Sequence, residues 1–363
     1  MPAFTLYFLW ITSVFFKAQA GTTAERPVLK HRYLIAGATH FAGHHLVDMS
    51  HEWRRNVKSF YSTNGTHAKI VKNTTDSFYN TSEIFMEYPD GPPECSQCHN
   101  FSTHDKKGLG CERVWACGWV GPHGLYLHEQ RYLATPMLAN LTFAGQYDWM
   151  LFSDSETVWI PENVERMVQK LDPNIPFFIA ESFFPHTRGA CVFPGHAPIL
   201  HPTCTESPDI VPCAHDAILN TDDDCAHLEG AGQEWSGGDW GFMLSRGLMN
   251  SITQEQWQKC IDCDERIGHV CYGGGDVRIG ECIFANGFAP TLPDRDYTGI
   301  NGNIRLGADP TEWLDRYKHA VETRNCDDSV DWTLPLSFHL ANKKNMEMFQ
   351  EVYTKFIQAC TLY

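Results

Sequence analysis

The sequence predicts an α/β fold built around a central, mostly parallel sheet with disulfide-stapled loops. Three observations carry that expectation: apolar strand-like runs alternate with helical stretches, several runs end in small or acidic residues, and 14 cysteines follow in the later regions. Of the 363 residues, 43% are hydrophobic and 13% aromatic, which supports a large core and excludes wholesale disorder and collagen. A formal charge of −16 repels polyanions, so no nucleic-acid partner is expected. A fraction of the 18 histidines would gain charge in a mildly acidic compartment and trim that balance.

The chain opens with an apolar run from Phe4 to Phe16 and then Ala18-Gln19-Ala20, a small-x-small cleavage pattern. Residues 1–20 therefore read as a signal peptide, with a short membrane anchor as the alternative. The run falls short of the roughly 20 apolar residues of a span. His31 to Thr39 predicts a first strand ending in small residues, His45 to Trp53 a helix, and Val57 to Gly65 a second strand stopping at an Asn-Gly turn. That β-α-β rhythm belongs to a parallel sheet. A stretch rich in Pro, Gly and Cys from about Tyr88 to Gly121 reads as a disulfide-pinned insertion.

Helical spacing runs from Leu125 to Phe143 and hands over to a buried strand, Gln146 to Phe152. Acidic residues follow it at once in Ser153-Asp154-Ser155-Glu156-Thr157, before Pro161 to Val168 restarts a helix. A strand over Pro176 to Glu181 leads into a cysteine-rich loop holding Asp222-Asp223-Asp224, which reads as solvated. Glycines enter a strand over Trp235 to Ser245, a glycine turn presents Asp276 at the mouth of a helix, and Leu334 to Leu340 is a strand carrying His339. No internal repeat or low-complexity linker divides the chain. A single domain over 28–363 is expected, with one half over about 28–156 and the other over about 157–350.

Cys95-x-x-Cys98 and Cys260-x-x-Cys263 lack a further thiolate or His at zinc-finger spacing, so the cysteines read as disulfides. Five N-x-S/T sequons begin at Asn64, Asn73, Asn80, Asn100 and Asn140. With the leader, they place the protein in the secretory pathway, in the Golgi lumen or secreted. A membrane is a partner only if the leader is retained.

Carboxylates at the carboxyl edge of an α/β sheet lie where such folds bind ligands. Asp154 and Glu156, two apart after a strand, suit a divalent cation, and His339 can add a nitrogen from a neighbouring strand. That mixed set suits manganese better than calcium, with magnesium possible. The plainer readings are solvated strand-end acids, a helix-capping Asp276 and a core histidine satisfied by backbone. The adjacent His44 and His45 diverge on a helix and are assigned no role. Trp235 offers an aromatic face to a sugar, and equally to the core.

Over most of residues 30 to 350 the ordered set resembles the fringe-like β-1,3-glycosyltransferases, glycosyltransferase family 31, including the core 1 galactosyltransferase and plant fringe-like branch. The carriers are Phe152-Ser-Asp154-Ser-Glu156-Thr-Val158, Gly237-Gly238 through Leu244-Ser245, Gly275-Asp276-Val277 with Gly280 and Cys282, and Ser337-Phe338-His339. The resemblance implies a single GT-A type nucleotide-sugar fold and a UDP-sugar donor. It also implies manganese and inversion at the anomeric carbon, moving a hexose or N-acetylhexosamine to a hydroxyl of a glycan or glycoprotein. Asp154, Glu156 and His339 then hold the metal, and Asp276 matches the family's base. Trp235, Gly237, Gly238 and Gly275 line the substrate, with no site for a further cofactor. Three positions depart from the family pattern: Glu156 stands for an aspartate, Ser155 for the middle acid, and Gly275 for the acid before the base. The alternative is a catalytically inactive, secreted carbohydrate-binding protein of the same fold.

Overall fold

The computed structural model describes residues 29–39, 56–65, 67–77, 80–89, 119–121, 124–126, 129–155, 157–180, 184–185, 213–214, 234–235, 241–267, 275–289, 314–315, 318–319, 322–323, 336–340 and 343–360. In chain order, β1 (Tyr33–Ala38), β2 (Lys58–Asn64), β3 (Lys69–Asp76) and β4 (Thr81–Tyr88) precede a hairpin of β5 (Trp119–Gly121) and β6 (Gly124–Tyr126). Helix α1 (Glu129–Thr142), β7 (Trp149–Phe152), β8 (Thr157–Trp159), α2 (Pro161–Val168) and β9 (Phe178–Ile179) come next. The two-residue strands β10 (Phe184–Pro185), β11 (Cys213–Ala214) and β12 (Glu234–Trp235) lead to β13 (Phe242–Ser245) and α3 (Arg246–Ser251). The chain then forms α4 (Gln254–Ile267), α5 (Gly275–Ala285), β14 (Phe288–Ala289), β15 (Ser337–His339) and α6 (Lys343–Cys360).

Seven strands make one sheet in the order β3-β4-β2-β1-β7-β13-β9. β4, β2, β1 and β7 are mutually parallel, so their carboxyl ends share one edge, while β3 and β13 run antiparallel. Every residue of β1, β7 and β13 is buried, the mark of strands covered on both faces. Phe152 and Phe242, paired in register, stack at 4.9 Å, and Phe178 meets Phe242 edge-on at 5.3 Å. The sheet is thus mixed and mostly parallel, as the α/β expectation has it.

Helix α1 packs on β1 and β2 and is covered in turn by α4 and α5. It is buried without a break from Arg131 to Met137, so it shows no one-sided apolar stripe. The helix starts at Glu129, later than the spacing predicts, because Gly124–Tyr126 pairs in the β5–β6 hairpin. Cys260 of α4 is bonded to Cys282 of α5, which answers the Cys260-x-x-Cys263 motif as a structural disulfide. Among the described residues no cysteine is free, and no helix is long and apolar enough to cross a membrane. The leader, the predicted helix over His45–Trp53, nearly all of the Tyr88–Gly121 stretch and the Asp222–Asp224 triplet lie outside the described residues.

The opposite edge of the sheet is locked by charge. Asp148, just before β7, accepts from the Arg32 backbone N–H (2.9 Å), Arg32 Nε (3.0 Å) and Nη2 (2.9 Å), and from Arg246 Nη1 (2.7 Å). Strand pairing in β7 therefore begins at Trp149, later than the sequence predicts, since both Asp148 N–H and Trp149 N–H turn to the Arg32 carbonyl. Burial pushes the Asp148 carboxyl up, but the Arg32 hydrogen bonds and the two guanidinium charges outweigh it and hold it below the usual carboxylate range. Beside this lock, Glu165 accepts from the His31 N–H (3.0 Å) and the Tyr33 hydroxyl (2.8 Å). Burial, with the Glu165 charge, raises the Tyr33 phenol far above its ordinary value.

Candidate functional site

At the carboxyl edge, Ser153 continues β7 by donating its N–H to the Ala36 carbonyl at 3.0 Å, which brings the following turn against the end of β1. Gly37 makes that approach possible, since a Cβ there would stand 2.0 Å from the Ser153 carbonyl oxygen. On the other side Gly241, at φ +86, faces Trp159; a Cβ would lie 2.5 Å from the indole. Ser153 Oγ accepts from Trp159 Nε1 at 2.9 Å, fixing the indole beneath the turn.

Asp154 is thereby held at the end of the central strand. Its Oδ1 accepts from Thr157 Oγ1 at 2.8 Å, which sets the carboxylate rotamer. Oδ2 is turned to His339 Nδ1 at 3.9 Å. The ladder between β8 and β15 explains this meeting: Thr157 lies in register with His339, so the residue that orients Asp154 is also the one that faces the histidine. Phe338 points the other way, fully buried and 4.8 Å from Phe349 of α6. The pair is reachable from solvent, with 12% of the Asp154 side chain and 26% of the His339 side chain exposed.

Two donors bound to one cation at about 2.1 Å each stand no more than about 4.2 Å apart. The 3.9 Å spacing of carboxylate oxygen and imidazole nitrogen lies inside that limit and is wider than the about 3.0 Å between adjacent ligands of an octahedral ion. Glu156, the third expected ligand, lies outside the described residues, and among the described residues no group of three metal-binding side chains occurs. Asp276 is the second residue of α5, inside its first turn rather than at the capping position, and acids are favoured there by the helix dipole. Its side chain, like that of Trp235, is outside the described set, as are Gly237 and Gly238. The backbone nevertheless brings their elements together: α5, which starts at Gly275, lies against β12, which carries Trp235 and pairs with β10.

Sequence reasoning missed Arg131. Buried on α1, it donates from Nη1 to the Thr39 and Ser62 carbonyls at 2.8 Å each, pinning the carboxyl ends of β1 and β2. The lone arginine of a helix with no other basic residue was the available signal. Gly37 was equally silent because its contact with Ser153 is distant in sequence, and Thr157 and Trp159 because their short-range bonds to Asp154 and Ser153 belong to no recognised motif.

No family model and no curated protein matches the chain. Among solved structures, the glycosyltransferase GlyE of Streptococcus pneumoniae superposes with a TM-score of 0.37 at 11% identity, covering 90% of this chain and 62% of GlyE. This chain thus spans less than two thirds of GlyE's length, and a superposition that loose decides neither fold nor function.

Proposed function

We propose that the chain is a metal-dependent inverting glycosyltransferase of fringe-like GT-A type. It moves a hexose or N-acetylhexosamine from a UDP-sugar to a hydroxyl of a glycan or glycoprotein, forming a β-1,3 linkage, in the Golgi lumen or after secretion. The single observation that carries this reading is the approach of His339 to Asp154 at the carboxyl edge of the sheet. Residues far apart in sequence meet there, and both were expected to bind one ion.

Asp154, His339 and Glu156 would hold manganese, or magnesium in its place. What such a cation supplies when bound is charge neutralisation on the departing diphosphate. Thr157 keeps one Asp154 oxygen occupied and presents the other. Asp276 takes the proton of the acceptor hydroxyl as its oxygen bonds to the anomeric carbon and the bond to the nucleotide's terminal phosphate oxygen breaks. Trp235, Gly237, Gly238 and Gly275 give the sugar its wall and room.

The test is UDP release by the purified chain with a panel of UDP-sugars and simple acceptors, in manganese and in chelator. Metal-dependent turnover that Asp276→Asn abolishes is the expected result. Asp154→Asn should lose manganese-dependent UDP binding and His339→Ala should weaken it, with the fold intact by circular dichroism. If no donor turns over and calorimetry finds no manganese-dependent UDP binding, the transferase reading fails and the silent carbohydrate-binding protein replaces it.

A further inference from the structure

The sequons differ sharply once placed in the fold. β3 is the edge strand of the sheet, none of its residues is buried, and Ile70 and Val71 are 50% and 41% exposed. An edge that is open to pairing and exposes two adjacent apolar side chains invites association with another chain. The strand carries partial defences in a register shift between Ile70 and Lys72 and in Lys69 and Lys72, which pair with Glu87 and Glu83. Both defences engage the inner neighbour β4, whereas the outer side of β3 faces solvent.

Asn73-Thr74-Thr75 lies in the middle of this strand, and Asn73 and Thr75 are exposed. In extended backbone, residues two apart share a face, so the acceptor amide and the hydroxyl of the sequon stand side by side. An open hollow lined in part by Thr74 and Thr75 adjoins them. Asn140-Leu141-Thr142 is the opposite case. It sits in α1, where residues two apart do not face each other. Asn140 Nδ2 donates to the Met249 carbonyl at 3.2 Å, Oδ1 accepts from the Tyr147 hydroxyl at 2.5 Å, and Thr142 Oγ1 donates to the Leu138 carbonyl at 2.7 Å. A sugar on Asn140 would occupy the seam between α1 and α3, and this fold could not close around it. Asn80 is exposed too, but its amide is tied to Asn56 Oδ1 at 3.0 Å.

We infer that Asn73 carries an N-linked glycan that shields the β3 edge from pairing with a second chain, and that Asn140 stays bare in the folded protein. The glycan is bulky and hydrated, and it is anchored two residues from Val71 on the strand whose outer side it must cover. This inference stands apart from the transferase reading. It requires only that the chain pass through a compartment that glycosylates.

The full chain is therefore expressed behind a heterologous cleavable secretion leader, and site occupancy in the secreted, folded pool is read by mass spectrometry after enzymatic deglycosylation in heavy-oxygen water. Asn73 should be converted and Asn140 unchanged. Asn73→Gln and Thr75→Ala should each lose one glycan, keep the native circular dichroism and associate with rising concentration in light scattering while the wild type does not. The use of two variants separates loss of the glycan from loss of the asparagine. An unmodified Asn73, or an occupied Asn140 in folded protein, overturns the site assignment; variants as free of association as the wild type overturn the shielding role.

Discussion

Gly37→Ala tests whether the turn carrying Asp154 is seated by direct backbone contact. The new Cβ would stand 2.0 Å from the Ser153 carbonyl oxygen, where contacts under 3.0 Å are essentially never seen, so the end of β1 and the turn after β7 must part by about 1 Å. Neither side yields cheaply. Ser153 is bound through its N–H to Ala36 and through its hydroxyl to Trp159, and β1 is buried throughout. Overpacking of this kind costs about 3 kcal/mol, which for a chain of 363 residues lowers Tm by roughly 4 °C. Gly145→Ala is the control, because at φ +69 it meets nothing within 4 Å. That substitution carries only left-handed backbone strain, about 1 kcal/mol. Urea unfolding and thermal melts of both variants decide the matter. Under the proposed transferase function, Gly37→Ala should also weaken manganese-dependent UDP binding while Gly145→Ala leaves it unchanged. A Gly37→Ala protein no less stable than Gly145→Ala would refute the claim that backbone contact seats the site.

Asp148→Asn should destabilise the protein by about 2 kcal/mol at neutral pH, since two arginines lose their shared carboxylate. Because the folded carboxyl is held below its ordinary range, the charge contribution is complete above the unfolded value near pH 4 and drains as pH falls through the folded one; urea titrations should show wild type and variant converging in acid. Ser245 Oγ accepts from Phe177 N–H (2.8 Å) and Leu248 N–H (3.1 Å) and donates to the Ile175 carbonyl (2.6 Å). Ser245→Ala should therefore cost about 2 kcal/mol with an unchanged denaturant slope. Replacing both Cys260 and Cys282 by serine opens a loop with a sequence separation of 22, and should cost about 3 kcal/mol in the same unfolding assay.

The buried centre of the sheet was legible because β1, β7 and β13 are almost wholly apolar and the period changes where helices begin. Tyr33–Ala38, Trp149–Phe152 and Phe242–Ser245 all fall inside predicted strands, and Pro161–Val168 is a helix as its proline start signalled. Edges were less legible. β3 is written in Lys, Asn and Thr, and nothing in it alternates, since every residue faces water and its pairing is dictated by β4. The cap at Ser245 shows a different limit. The Leu244-Ser245 pair stood out as a strand ending, yet the hydroxyl's work is to hold a loop from the region of Ile175 to Phe177, and no local pattern announces that. Asn140 shows the converse, a motif legible by spacing whose chemistry the helix withdraws.

The meeting of Asp154 and His339 is governed by a ladder outside the main sheet, and magnitudes say which force sets it. A partly exposed carboxylate and imidazole attract by less than about 1 kcal/mol. Full burial of a phenylalanine contributes about 2–3 kcal/mol, and Phe338 is wholly buried against Phe349. A slip of one residue in β15 would turn Phe338 to solvent and His339 into the core. The register is therefore fixed by the apolar neighbour, and the histidine is delivered to Asp154 as its consequence. The backbone of His339 is thus placed by the packing of Phe338, and the Asp154 carboxylate by Thr157, before any ligand of the proposed site is bound.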